Sequence, residues 1–189
     1  MPIRIALLLY PDFQLLDAAG VTAAFEIAGA LGKSVYETIA VSNQGGLIRS
    51  SSGMALETAP LAKAGFFDTL VVVGGEGHVT AMVCPELQAF IRSQKSTARR
   101  ICSVCTGAFL LAAAGLLDGR RVTTHWQHAR VLKAQFPEIR VSADASYVHD
   151  GPVLTSAGIS TGIDMALALV TEDVVVGIRR RTAQEMVVF

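Results

Sequence analysis

The chain has 189 residues, with 16 Lys plus Arg balanced by 16 Asp plus Glu for a formal net charge of zero. That balance argues against nucleic-acid binding through bulk electrostatics, and no apolar stretch approaches the ~20 residues that span a membrane. Half of the residues are hydrophobic (51%) and few are aromatic (6%), a composition rich in Ala, Val, Leu and Gly that suits one α/β domain with strands buried on both faces.

Residues 3–10 (IRIALLLY) form a continuous apolar run, read as a buried strand. After Pro11-Asp12, residues 15–31 place apolar side chains at helical spacing and close at Gly32. Residues 35–42 alternate as a second strand. Gly45-Gly46 and Ser52-Gly53 then bracket a hairpin with arms LIRS and MALE. Residues 69–73 (TLVVV) are a buried strand ending in Gly74-Gly75, and Pro85 lies early in a helix expected over 82–94. A strand over 100–104 leads into Cys105-Thr106-Gly107 and a helix, followed by a strand at 121–124 and a helix at 126–135 stopped by Pro137. Strands near 145–149 and 152–156 flank the Asp150-Gly151 turn, and helices at 160–170 and 173–189 end the chain. Alternation of strand and helix predicts a three-layer α/β sandwich with a mostly parallel, doubly wound, flavodoxin-like sheet.

Ligands of such sheets bind beyond the carboxyl ends of the strands. Asp17, the Gly74-Gly75 loop, Cys105-Thr106 and His125 each follow a strand and so converge on that edge. Cys105 sits on a strand-turn-helix elbow, where helix N-terminal amides favour a thiolate, and it is the candidate nucleophile. The Thr106 N–H and the N–H groups of Gly74 and Gly75 are candidate oxyanion donors. Asp17 is placed to share a proton with Cys105 or to orient a ligand. His125 is read evenly as an acid/base partner or as a histidine stacked on Trp126, and His78 as solvent-facing. Cys102 and Cys105 spell C-x-x-C, yet an extended strand holds their Cα atoms ~10 Å apart, too far for a disulfide. No second ligand pair suits zinc, so Cys102 is a core thiol and no metal or cofactor is expected. Three cysteines without a signal peptide point to a reducing, cytoplasmic setting. The single basic run, Arg179-Arg180-Arg181, reads as a solvated helix face. The amino terminus enters a strand directly, as a native start would, whereas the apolar end at Met186–Phe189 suggests a chain cut before further sequence.

The stretches LLYPDFQLLDAAG, VVVGGEG, ICSVCTGAFLLAAAGLLDGRRVTTHW and VLTSAGISTGIDMALALV together resemble the ThiJ/PfpI (class I glutamine amidotransferase-like) superfamily over essentially the whole chain. Within it the chain is most similar to the amidase-like N-terminal domain of AraC-type transcriptional regulators, with isonitrile hydratase a near relative. The resemblance makes Cys105 the elbow cysteine, Asp17 the acidic partner from the first helix and Gly75 the oxyanion loop. Thr106 stands where PfpI-type proteases carry His, which speaks against proteolysis. None of the four histidines has a Glu two residues on, which speaks against an amidotransferase. The resemblance implies a sensor domain with a small-molecule pocket around Cys105, a homodimer, and DNA contact only through a helix-turn-helix domain beyond residue 189. The alternative it implies is a hydratase in which Cys105 attacks an isonitrile-like carbon and Asp17 is general acid/base.

Overall fold

A computed structural model describes residues 2–32, 36–174 and 176–188. Its central sheet has eight strands in the order β3-β4-β2-β1-β5-β6-β10-β9. These are β1 (Ile3–Leu8), β2 (Tyr36–Ser42), β3 (Gly46–Arg49), β4 (Ala55–Pro60), β5 (Thr69–Val72), β6 (Arg100–Val104), β9 (Tyr147–Asp150) and β10 (Val153–Ser156). All neighbours run parallel except the edge hairpins β3/β4 and β9/β10. Consecutive residues of the inner strands feed opposite cores. Ile5, Val71, Cys102, Val104 and Leu154 pack beneath α1 (Leu15–Leu31) and α6 (Ser160–Asp173), against which α7 (Val176–Glu185) also packs. Ala6, Leu8, Leu70, Val72 and Ile101 pack on the other face with α3 (Pro85–Ser93), α4 (Gly107–Ala113) and α5 (Ala129–Gln135). Burial on both faces is why these strands read as unbroken apolar runs. The chain therefore folds as the expected flavodoxin-like, mostly parallel three-layer sandwich.

Register aligns the carboxyl ends. Leu8 lies opposite both Val41 and Val72, Val72 opposite Ser103, and Val104 opposite Ser156. The residues that follow, Tyr10, Asn43, Gly74, Cys105 and Gly158, are consequently delivered to one edge.

Several boundaries differ from the sequence expectation for identifiable reasons. The helix expected over 82–94 begins at Pro85, because the residue before a proline is driven out of the helical region, and Cys84 accordingly has ψ 116°. A separate short helix, α2 (His78–Ala81), precedes it. The strand expected over 121–124 stops at Val122. Beyond it the Thr123 N–H donates to the Thr155 hydroxyl (2.8 Å) rather than to a ladder, and the short β7 (Arg121–Val122) pairs with β8 (Arg140–Val141) in a separate two-stranded sheet. His125 thus reaches the carboxyl edge from an irregular segment and not from a main-sheet strand. Residue 35 of the second strand, and residues 175 and 189 of the last helix, lie outside the described residues.

The amino-terminal edge is tied by ions. Arg100, nearly fully buried at the start of β6, donates to Asp173 Oδ2 (2.6 Å) at the end of α6, and the half-exposed Arg99 bridges Asp68 and Asp173. Removing one partner of a buried pair strands the other without water. Asp173→Ala is therefore expected to cost about 3 kcal/mol in urea unfolding, and Arg99→Ala, at the exposed rim, less than about 1 kcal/mol.

Candidate functional site

The elbow at Cys105 is a backbone event before it is a chemical one. Cys105 has φ 56°, a left-handed conformation that non-glycine residues seldom adopt. It is held by its N–H donating to Ser156 O (3.0 Å) and by the Thr124 hydroxyl donating to its carbonyl (2.8 Å). The turn also requires close approach from three directions. A Cβ on Gly107 would sit 2.2 Å from Val72 O, one on Gly158 2.4 Å from Cys105 Cβ, and one on Gly74 2.6 Å from the same atom. Only glycine fits at each. The added atom on Gly74 would also lie 2.8 Å from Asp17 Oδ2, so that carboxylate and the elbow cysteine crowd the same glycine.

Asp17, in the first turn of α1, is fully buried. Its Oδ1 accepts the Ile159 N–H at 2.7 Å, and Oδ2 has no geometrically complete hydrogen bond. Burial raises this carboxyl to about 6, opposed first by the Ile159 N–H and then by the Cys105 thiol. Burial likewise pushes the Cys105 thiol up to about 12, and the neighbouring Asp17 charge adds to it, while the Thr106 N–H opposes both. Both effects work against the thiolate expected at the elbow. Cys105 is only 7% exposed, and taking its charge out of water outweighs the stabilisation from one helix end.

The glycine loop is tied to the elbow by hydrogen bonds. The Gly75 N–H donates to Thr106 Oγ1 (2.9 Å), and that hydroxyl donates back to Gly75 O (3.0 Å). The Gly75 amide is therefore engaged within the protein. The Thr106 side chain thus pins the loop to the elbow.

Cys105, Thr106, Gly75 and His125 line one cavity of about 220 Å³, with Asp17 and Gly74 buried behind its wall. Residues the sequence reading left out complete it, among them Gln14, Glu76, His128 and Ile159. His78, expected in solvent, is buried instead. Its Nδ1 lies 2.8 Å from Gly75 O and its ring packs 5.0 Å from Phe109. His125 lies between both readings offered for it, with its ring 5.9 Å from Trp126 and 5.9 Å from His128. Three of the chain's four histidines therefore face this cavity. Among the described residues no cluster of His, Cys, Asp or Glu is arranged to hold a metal ion. Cys102 is a fully buried core thiol and all three cysteines are free.

Residues 3–172 match the DJ-1/PfpI family. The chain belongs to that family. It is 35% identical to the isonitrile hydratase of Pseudomonas putida over 91% of its length, covering 72% of that enzyme. It is 34% identical to the HTH-type transcriptional regulator GlxA of Rhizobium meliloti over 95% of its length, yet spans only 56% of that regulator. Among solved structures, a ThiJ/PfpI family protein from Pseudomonas syringae superposes with a TM-score of 0.88 at 28% identity, covering 98% of this chain and 75% of that one.

Because the Asp17 carboxyl holds its proton more tightly folded than unfolded, it penalises folding above about pH 6 and not below about pH 4. Asp17→Asn keeps an acceptor for the Ile159 N–H, so it is expected to raise unfolding free energy by about 2 kcal/mol at pH 7.5, the gain vanishing by pH 4. The same change removes the charge that holds the thiol up. In wild type the half-buried Cys84 should alkylate before Cys105 at pH 8, and Asp17→Asn should speed Cys105 modification several-fold by peptide mass spectrometry.

Proposed function

We propose that this chain is the ligand-sensing N-terminal domain of an AraC-family transcriptional regulator, with a small molecule entering the Cys105 cavity. The observation that carries the reading is the state of the elbow. The thiol is buried, which works against its charged form, and the Gly75 amide is already paired with the Thr106 hydroxyl. Such a cysteine is suited to contact a ligand and poorly prepared to attack one, since nucleophilic catalysis needs a thiolate and free oxyanion donors. The likeness to GlxA supports the same reading. DNA recognition then belongs to a helix-turn-helix domain following residue 189, the assembly is a homodimer, the setting is cytoplasmic, and neither cofactor nor metal takes part. Balanced charge and helices committed to covering the sheet leave nothing in this segment to enter a major groove.

A second reading has its own observation. The Asp17 carboxyl, lifted to about 6 with Oδ2 unpaired beside the thiol, has the pKa of a general acid/base working near neutrality. In an isonitrile hydratase of this type Asp17 would take the thiol proton as sulfur bonds to the terminal carbon, and return it to that carbon. Water addition and expulsion of the thiol would then yield an N-substituted formamide.

The purified chain is expected to hydrate cyclohexyl isocyanide no faster than Cys105→Ala and to show no sequence-specific DNA binding by fluorescence anisotropy. The genomic reading frame should continue with ~100 residues forming two helix-turn-helix units. Turnover that depends on Cys105 would transfer the assignment to the hydratase.

A further inference from the structure

The described residues also enclose a cavity larger than the one at Cys105. A cleft of about 500 Å³ opens on the same carboxyl edge, between the exits of β1 and β2 and the segment joining α2 to α3. Its size falls in the range of small-molecule sites, and the Cys105 cavity is less than half as large. Its position is the one that favours ligands in this fold. β1 has β2 on one side and β5 on the other, so strand order reverses beside the cleft.

The lining is asymmetric. Leu9, Tyr10, Ile48, Ala81 and Leu87 form an apolar body, and the β2 exit loop supplies the polar end. At that end Ser42 is satisfied by Thr58 and the Gly45 N–H. The half-buried Asn43 is not. Among the described residues its amide makes only a long 3.9 Å approach to Cys84 Sγ. Among the described residues no Lys or Arg lines the cleft, and its one carboxylate, Asp12, is exposed. The two cavities share no lining residue, because the stretch Gly75–His78 forms a partition between them. That partition is stiff, with the Gly77 N–H donating to Asp12 O (3.3 Å) and no room for a Cβ on Gly77, which would lie 1.9 Å from Pro11 O.

From this we infer that the cleft is a second binding site, for an uncharged, mainly apolar small molecule with one hydrogen-bonding end that meets the Asn43 amide. It is separate from the Cys105 cavity, and it stands whichever reading of that cavity holds. A charged ligand would enter an apolar body with no countercharge, an unfavourable transfer.

The probe is N-phenyl-1-naphthylamine, an uncharged fluorophore of suitable size, titrated into the intact chain. Saturable enhancement at one probe per chain is expected. Cys84→Phe and Thr80→Trp, which fill the cleft from its half-buried wall and its exposed rim, should each weaken binding at least tenfold with melting temperature retained. Asn43→Leu should weaken it less, and Cys105→Ser not at all. Absence of saturable binding overturns the inference. So does binding that survives both filling variants, or binding that is lost in Cys105→Ser. Affinity that falls with rising protein concentration, in step with dimerisation, would show a second copy of the chain in the cleft and equally overturn it.

Discussion

One buried carboxylate ties the functional edge together. Asp17 sits in the first turn of α1, accepts the Ile159 N–H ahead of α6, and lies against the glycine that borders Cys105. Helix α1, the Cys105 elbow and the loop into α6 come from segments far apart in sequence, and this residue touches all three. A neutral side chain could satisfy Ile159 without the penalty of a buried charge. The geometry instead keeps an acid whose second oxygen is unpaired, in a place where a proton can pass to or from a thiol. Buried ionisable groups with displaced pKa values cluster at working sites, and here both members of the pair are displaced upwards by the same cause, loss of water.

The backbone around that pair is shaped by close approach. Cys105 and Ile159 both adopt positive φ, and Gly74, Gly107 and Gly158 let main chain press against the elbow from three sides. Strain of this kind persists only where surrounding structure over-determines it. Here the aligned strand ends below and the Thr124 hydrogen bond above do so. Thr106 adds a further constraint by clamping Gly75.

The carboxyl edge holds two cavities of contrasting character on either side of one short glycine-rich stretch. One is small, polar and rich in imidazole, and the other is larger and apolar. The stretch from Gly75 to His78 belongs to both walls and has little freedom, since Gly75 is clamped by Thr106 and Gly77 by the chain at Pro11.

Much of this architecture was legible from residues alone. Apolar runs at 3–10, 69–73 and 100–104 mark strands buried on both faces, the turn residues mark their ends, and strand-Cys-Thr-Gly-helix marks an elbow, because each depends on local sequence. The same logic placed Asp17, Gly74, Gly75, Thr106 and His125 near Cys105. Local pattern also misled where a neighbour mattered. Proline at 85 pushed the helix start later, and the Thr155 hydroxyl drew Thr123 off a ladder. Only the tertiary structure decided the burial of Cys105, the engagement of the Gly75 amide, the burial of His78 and the arrival of Gly158-Ile159 at the site. Each of these is set by which distant groups exclude water or donate a hydrogen bond, and distance along the chain carries no record of that.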